Sequence, residues 1–417
     1  MIGVFFLFAL SIFCSQIALS DQLTDMSDCA VNGDGTANCT AVNPTLPPLI
    51  LIHGISGSKM YVDGKNTAFP SNLPLACSVT YSGTYSLKAW ISYSLGVSDP
   101  LNIQKCILYM MSLTYDSSTG TYHNQTGLNV TFLGRHPFGL TCPLTCLLTD
   151  SLQSCNPTAN STSTEVYFGA LISYLAQFGY VKGCNLFAAP YDWRLVPQLD
   201  AMDAYFTNLT KLIETSVNQT GKKAFLLSHS MGNLMVNNFL NQRKSNADRF
   251  FGGASYIISN TAVRDLIRTF ASPAILLPNL LAFQSGTPVV TVQGTTYTVG
   301  NMANLLALAN VANMATLYQN SASQIGAQQY TPMYCVHGNS DNSTALQYTY
   351  PNGINSAGTA TLGAGDGTVN IDSLRVCQVW KNQGKLVNQV TEIPNVSHTG
   401  ILLAQPFYTV VKTILIG

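Results

Sequence analysis

The sequence predicts an α/β fold in which buried strands end at polar turns. An apolar run at Leu49–Ile52 breaks into a His-Gly turn, and a second run at residues 224–227 ends in another tight turn. A helix-like stretch at residues 233–240 follows the second turn. Short apolar runs bounded by turn residues are typical of buried strands in parallel sheets. The 417 residues are enough for one large domain with insertions.

The turn after the second apolar run reads Ser228-His229-Ser230-Met231-Gly232. A strand, a tight turn and a helix in this order hold one hydroxyl over the end of a sheet, as in the nucleophile elbow of α/β-hydrolases. The usual pattern is G-x-S-x-G, and Ser228 stands at the first glycine position, where strand and helix approach closely and a small residue is required. Ser230 is therefore the predicted nucleophile, and an ordinary serine-rich turn is the alternative interpretation.

A base and an acid must follow the nucleophile in this fold, with the acid first. The histidines well downstream are His337 and His398, and the latter follows a strand-like run. Asp366 lies in a Gly-Ala-Gly-Asp-Gly turn between these two histidines, so it pairs in the required order with His398 only. Asp341 and Asp372 are weaker candidates for the acid. A plain glycine-rich turn and a loop histidine without a role are the alternatives.

Two backbone N–H groups are expected to form the oxyanion hole. One belongs to Met231, the residue after the nucleophile, and the other to Ile55, in the turn after Leu49–Ile52. We expect His53, in the same turn, to be structural rather than a second base.

Four landmarks carry a resemblance to a known family. They are Leu-Ile-His-Gly-Ile at 51–55, Ala-Ala-Pro-Tyr-Asp-Trp-Arg at 188–194, His-Ser-Met-Gly-Asn at 229–233, and Gly-Asp-Gly-Thr-Val at 365–369 with a histidine following. From about residue 49 to the C-terminus, the chain resembles the lecithin:cholesterol acyltransferase and lysosomal phospholipase A2 family. The second landmark is the most specific, and residues 260–330 match most weakly.

The resemblance implies an α/β-hydrolase fold with an inserted cap or lid and a small membrane-binding subdomain. It matches Ser230, Asp366 and His398 to the catalytic triad, and Ile55 and Met231 to the oxyanion positions. Two positions depart from the family pattern: His53 replaces a proline, and Ser228 replaces a glycine or alanine.

The resemblance also implies two disulfides. The first, Cys77–Cys106, closes the membrane-binding subdomain, and the second, Cys335–Cys377, links the late strands. A local Cys29–Cys39 pairing is a separate expectation. No pairing is assigned to the remaining cysteines of the secreted part, which are Cys142, Cys146, Cys155 and Cys184.

Two apolar segments are predicted as insertions into the hydrolase domain. Residues 61–111 form the membrane-binding or lid subdomain, with Trp90 as a lid or membrane contact, and residues 261–324 form a cap. Apolar insertions over an esterase site suggest a lid and an acyl-chain channel. The alternative is that most of these side chains pack inside cap helices.

The N-terminus predicts entry into the secretory pathway. Residues 1–20 contain an apolar run followed by Ala-Leu-Ser, which is typical of a cleaved signal peptide, and 21–417 then form the mature hydrolase domain. No Lys or Arg precedes the run, so an uncleaved anchor is the alternative. Cleavage leaves ten of the eleven cysteines, which fits a compartment that permits disulfides. Glycosylation sequons lie at Asn38, Asn124, Asn129, Asn160, Asn208, Asn218, Asn342 and Asn395.

Composition restricts the class of partner. Formal net charge is zero and only 9% of residues are charged, so a nucleic-acid partner is disfavoured. The cysteine spacing lacks a zinc-ligand pattern, and we predict no metal and no cofactor.

The expected function is a lipid acyl hydrolase or O-acyltransferase of the secreted or endolysosomal lumen. It would act peripherally at a phospholipid bilayer or lipoprotein surface and pass the acyl group to water or to a lipid alcohol, with sterol among the acceptors. A neutral lipase or thioesterase of the same fold and a catalytically inactive lipid-binding protein are the alternatives.

Overall fold

A computed structural model describes residues 39–55, 57, 61–65, 69–80, 83–88, 103–131, 167–242, 260–325, 331–340 and 342–417. The strands are β1 (Leu49–Ile52), β2 (Tyr61–Lys65), β3 (Thr84–Lys88), β4 (Leu113–Asp116), β5 (Thr121–Asn124), β6 (Leu128–Thr131), β7 (Leu186–Ala188), β8 (Phe225–Ser228), β9 (Pro288–Val292), β10 (Thr295–Thr298), β11 (Met333–Asn339), β12 (Thr344–Tyr350), β13 (Thr359–Gly363) and β14 (Val387–Pro394).

The α-helices are α1 (Leu75–Thr80), α2 (Ile103–Met111), α3 (Gly169–Ala176), α4 (Leu199–Thr220), α5 (Met231–Gln242), α6 (Asn260–Ile267), α7 (Pro273–Leu276), α8 (Met302–Leu308), α9 (Met314–Ile325), α10 (Ile371–Leu374), α11 (Val376–Asn382) and α12 (Gln405–Leu415). Short 3₁₀ helices cover Val299–Asn301 and Gly400–Leu403.

Parallel strands form the centre of the molecule. Strand β1 lies between β7 and β8 and is parallel to both, and β11 pairs in parallel with β14. All four residues of β1 and of β8 are buried, which explains why all but Ser228 at the end of β8 are apolar. The fold is therefore mixed α/β, as the sequence predicts. Functional side chains of such sheets lie beyond the carboxyl ends of the strands.

The first predicted insertion forms a small antiparallel unit. Strand β2 pairs with β3 and with β6, so the sheet extends beyond residue 111. Cys77 in α1 is bonded to Cys106 in α2, and both are fully buried. Side chains of α2, including Met110 and Met111, are packed into the core. Trp90, the predicted lid or membrane contact, lies outside the described residues.

The second predicted insertion contains α6 to α9 and the β9–β10 hairpin. Strand β9 pairs in parallel with β12, which joins the hairpin to β13 in a four-stranded sheet. Leu305 and Leu306 in α8 are buried, whereas Leu308 is partly exposed. Most apolar side chains of this segment are therefore packed internally.

Arg194, in the most specific of the sequence landmarks, contacts residues of both predicted insertions. Its side chain is fully buried and pairs with Asp192 at 2.7 Å. The guanidinium also donates to the Met111 carbonyl and to the Asn124 side chain, while its own carbonyl accepts the N–H groups of residues 271 and 272. A buried guanidinium requires a full set of partners, and this set comes from three segments of the chain.

The structure corrects one predicted disulfide. Cys39 is bonded to Cys184, not to Cys29, across 145 residues of sequence. The Cys335–Cys377 bond implied by the resemblance is present. Within the described ranges, no helix combines the length and the hydropathy that a membrane crossing requires.

Candidate active site

Ser230 occupies a strained turn between β8 and α5. Its φ is +57°, in the left-handed region that non-glycine residues rarely adopt. Gly232, two residues later, lies directly against the carbonyls of Ile52 and His53, and a Cβ at this position would collide with them. Helix α5 therefore starts in contact with the end of β1, and this close approach holds the serine at the carboxyl edge of the sheet.

Ser228, at the position where the elbow pattern has glycine, is fully buried. Its hydroxyl donates to the side-chain oxygen of Asn233 at 2.9 Å. The extra hydroxyl therefore has a partner within the elbow, which allows serine to replace the smaller residue.

Asp366 lies in the loop between β13 and α10. One carboxylate oxygen, Oδ1, accepts the N–H groups of Thr368 and Val369 at 3.0 and 2.7 Å. The backbone carbonyl of Asp366 accepts the N–H of His398 at 2.7 Å. The turn thus fixes both the orientation of the carboxylate and the position of the loop that carries the histidine.

The three predicted triad residues form one hydrogen-bonded chain. His398 Nδ1 lies 2.6 Å from Asp366 Oδ2, and His398 Nε2 lies 3.2 Å from Ser230 Oγ. Asp366 and His398 are almost completely buried. The carboxylate accepts from the Nδ1–H, which leaves Nε2 as the acceptor for the serine proton. The structure brings these side chains together, and their catalytic roles stay a prediction.

The other acid candidates are placed differently. Asp372 lies exposed in the first turn of α10, and Asp341 lies outside the described residues. His337 is buried in β11, where Nε2 is 3.9 Å from Glu392.

The predicted oxyanion donors lie on both sides of the serine. Met231 is the first residue of α5, so its N–H lacks an acceptor within the helix. Gly54, which precedes Ile55, is so close to the elbow that a Cβ on it would be 2.5 Å from the Ser230 Cβ. The turn that carries Ile55 therefore lies in direct contact with Ser230.

The contacts of His53 fit the structural role that we expect for this residue. Its ring stacks on Tyr191 with centroids 4.5 Å apart, and its Nδ1 lies 2.6 Å from the Gly54 carbonyl. The Tyr191 hydroxyl donates to the His53 carbonyl at 2.8 Å. Burial lowers the pKa of His53 to about 4, because the charged imidazolium is poorly solvated there.

Burial of His53 predicts a loss of stability in acid. The folded protein holds this histidine neutral down to about pH 4, whereas the unfolded chain protonates it near 6.5. Between these values the unfolded state binds more protons, so the free energy of unfolding falls as the pH falls, by roughly 3 kcal/mol for this group. The melting temperature of His53→Asn should therefore depend less on pH between 6.5 and 4 than that of the wild type.

The matched control for this measurement is His123→Asn, since His123 is exposed in β5. It should keep the wild-type pH dependence of the melting temperature. Equal slopes for wild type and His53→Asn would contradict the assignment of a neutral buried His53.

An apolar cavity of about 280 Å³ opens beside the triad. Ser230, Asp366 and His398 all line it. Its apolar wall includes residues of α5, the second insertion and α11, which are Leu234, Ile275, Leu276, Leu277, Leu281 and Trp380. Pockets for small molecules are typically of this order of size or larger, with a few polar groups in an apolar wall.

Comparison with known proteins agrees with the sequence resemblance. Residues 85–267 match the family model of lecithin:cholesterol acyltransferase. Lysosomal phospholipase A and acyltransferase of Rattus norvegicus is 23% identical over 398 residues, which cover 89% of this chain and 90% of the relative. Lecithin-cholesterol acyltransferase-like 1 of Arabidopsis thaliana is 27% identical over 409 residues, or 88% of this chain and 89% of the relative.

Over most of its length, the chain is therefore similar to lecithin-cholesterol acyltransferase-like and lysosomal phospholipase A proteins. The phosphatidylcholine-sterol acyltransferase of Gallus gallus is 26% identical over 267 residues. That alignment covers 57% of this chain and 64% of the relative, less than two thirds of its length.

Sequence reasoning missed one residue of the site. Tyr167 contacts both Gly54 and His229, the neighbours of the predicted oxyanion turn and of the nucleophile. It lies before α3, far from the motifs in sequence, and no local pattern distinguishes it from the other tyrosines.

Proposed function

We propose that this protein belongs to the lecithin:cholesterol acyltransferase family and is a lipid acyl hydrolase and acyltransferase. It would cleave glycerophospholipid esters through an acyl-enzyme on Ser230. The observation that carries the proposal is the continuous hydrogen-bonded chain from Ser230 through His398 to Asp366 at the wall of an apolar cavity. The names of the relatives, which describe phospholipase A and acyltransferase activities, support the lipid substrate.

The geometry supports a two-step reaction. Ser230 Oγ attacks the ester carbonyl while His398 Nε2 takes its proton and then delivers it to the departing lysophospholipid oxygen. Water or an alcohol next attacks the acyl-serine, and His398 transfers the proton of the acceptor to Ser230 Oγ. Asp366 holds the imidazole in the required tautomer and stabilises its charged form.

The N–H groups of Ile55 and Met231 would bind the carbonyl oxygen as its negative charge develops. Both are backbone donors with fixed positions. Ile55 lies in the turn that contacts Ser230, and Met231 is the first residue of α5. Such donors need no reorganisation when charge appears, and each contributes roughly 10²–10³-fold to the rate in well-studied acyl-transfer enzymes.

The second insertion is proposed as a cap that contributes to an acyl-chain site. Residues 275–277 and 281 supply part of the apolar cavity wall. For the first insertion we propose contact with a bilayer or lipoprotein surface, with Cys77–Cys106 holding α1 against α2.

The disulfides support a secreted or endolysosomal location after removal of a signal peptide at residues 1–20. Cys39–Cys184, Cys77–Cys106 and Cys335–Cys377 would persist in an oxidising compartment but not in most cytosols. The name of the Rattus norvegicus relative, which is lysosomal, agrees with this proposal.

Acyl transfer is tested with phosphatidylcholine vesicles, alone and with a long-chain alcohol or a sterol. Vesicles alone should give free fatty acid and lysophospholipid, whereas vesicles with a lipophilic alcohol should give an ester in addition. An alcohol held in the apolar cavity gains a large effective molarity, which allows it to compete with water at about 55 M. Thin-layer chromatography of all products measures this partition.

The outcomes of this experiment separate the alternatives. Fatty acid without ester across several alcohols would identify a phospholipase and contradict the acyltransferase part of the proposal. Turnover of triacylglycerols or thioesters but not of phospholipids would favour a neutral lipase or a thioesterase. Lipid binding without any product would indicate an inactive binding protein.

A further inference from the structure

The turn that carries the proposed Ile55 oxyanion donor is held by specific contacts. The Gly54 N–H donates to the Tyr167 hydroxyl at 2.9 Å, and the Gly54 carbonyl lies 2.6 Å from the His53 ring nitrogen. The carbonyl of His53 accepts from the Tyr191 hydroxyl. The next donor along the chain is the N–H of Ile55. The direction of this N–H is therefore set by groups bound to the two preceding residues.

The same Tyr167 hydroxyl contacts the residue before the nucleophile. It forms a hydrogen bond with His229 Nδ1, and the centroids of the two rings, which meet edge to face, lie 5.0 Å apart. His229 is almost completely buried. Burial and the neighbouring His398 and His53 lower its pKa well below the usual value, so the ring is neutral. In the tautomer that carries its proton on Nε2, His229 accepts from the Tyr167 hydroxyl, and the tyrosine oxygen accepts the Gly54 N–H.

One hydroxyl thus joins the two halves of the predicted oxyanion hole. Gly54 belongs to the turn after β1, and His229 belongs to the elbow after β8. A Cβ on Gly54 would be 2.8 Å from the Tyr167 oxygen and 3.0 Å from the His229 carbonyl, so all three groups meet at one point. Glycine is required there because the hydroxyl and the elbow occupy the space of a side chain.

We propose that Tyr167 is a positioning residue that sets the distance between the Ile55 and Met231 N–H donors through its hydrogen bonds to Gly54 and His229. This inference rests on the proposed acyl-transfer function. Tyr167 does not contact the reacting atoms in this role, and it acts through the backbone of the turn and the elbow. Without its hydroxyl, Gly54 and His229 would each lose a partner, and the turn would lose its link to the elbow.

The test is Tyr167→Phe, which removes one oxygen and keeps the ring. We expect kcat for a soluble ester such as p-nitrophenyl butyrate to fall about 10- to 100-fold, since small misplacement of catalytic groups costs rates of this order. KM and the melting temperature should change little. The inhibition constant of an alkyl trifluoromethyl ketone, which forms an oxyanion with the serine, should rise by the same factor as kcat/KM falls.

The matched control is Tyr205→Phe, because the Tyr205 hydroxyl, like that of Tyr167, bonds to a backbone group, here the Ala189 carbonyl at 3.0 Å. It should keep wild-type kcat and ketone binding. A His229→Asn variant adds a second measurement. Combined with Tyr167→Phe, it should lower kcat no further than Tyr167→Phe alone, since the hydrogen bond that His229→Asn removes is already absent in that variant.

Each result decides the proposal. Unchanged kcat in Tyr167→Phe, or a fall in kcat without weaker ketone binding, would overturn the positioning role while leaving the proposed function intact. Parallel losses in Tyr205→Phe would show a general effect of buried hydroxyls and would also overturn it. A wild-type protein that hydrolyses neither the soluble ester nor phospholipid would overturn the proposed function and this inference together.

Discussion

Replacement of Ser230 by alanine should abolish ester hydrolysis and acyl transfer while the protein remains folded. The substitution removes one oxygen, which in the structure contacts His398 Nε2 at 3.2 Å. Alanine keeps a Cβ and adopts the left-handed φ of +57° at a similar cost, so the elbow itself is not expected to rearrange. Serine hydrolases that lose a triad member keep only about 10³–10⁴-fold acceleration over water, from the oxyanion hole and substrate binding.

Phosphatidylcholine hydrolysis and labelling with a fluorophosphonate measure this loss, and thermal unfolding checks the fold. Ser228→Ala is the matched control, because Ser228 lies two residues away in the same turn and bonds only to Asn233 among the contacts described for its hydroxyl. This variant should keep most of the activity and the fluorophosphonate label. An active Ser230→Ala protein, or an inactive but folded Ser228→Ala protein, would show that the elbow is wrongly assigned.

The turn at Ser230 and the meeting of its side chain with His398 and Asp366 could be predicted, whereas their catalytic roles stay a prediction. The signal for the turn is local, and the order of the other two residues is given by the fold. The elbow pattern has a small residue two positions before the serine and a glycine two positions after it, so five consecutive residues contain the signal. The structure explains the glycine at 232, because a Cβ there would collide with the carbonyls of Ile52 and His53. The glycine-rich turn and the chain order favour Asp366 as the acid. The structure gives the reason for the glycine at 365, since a Cβ there would meet Thr344 and the Val369 carbonyl.

Contacts between distant segments could not be predicted in the same way. The partner of Cys39 lies 145 residues away, and the local choice of Cys29 was wrong because proximity in sequence does not determine which cysteines the fold brings together. The buried Arg194 was visible only as part of a family landmark, and its acceptors at Met111 and Asn124 come from separate elements. The role of Tyr167 was equally hidden in the sequence, because only the folded sheet places this residue next to Gly54 and His229.

Asp366→Asn should lower kcat by about 10⁴-fold, the effect of this change in the best-studied protease triad. The structure gives a reason specific to this site. Oδ1 accepts two backbone N–H groups, from Thr368 and Val369, so an asparagine would keep its oxygen there and place its NH₂ group toward His398. The opposite orientation would set the NH₂ against two donors and is therefore disfavoured.

An NH₂ group facing His398 Nδ1 requires this nitrogen to accept, and the ring proton then resides on Nε2. The serine hydroxyl would meet a donor instead of an acceptor, so the imidazole could no longer take its proton. The backbone hydrogen bond from the His398 N–H to the Asp366 carbonyl is unaffected by the substitution. The loop that carries His398 should therefore keep its position in the variant.

Kinetics with a soluble ester, together with the melting temperature, test this expectation. Asp372→Asn, a change at an exposed carboxylate in α10, is the control and should be close to wild type. Because the argument depends on the orientation of one amide, an Asp366→Asn protein with near wild-type kcat would mean that another acid orients His398.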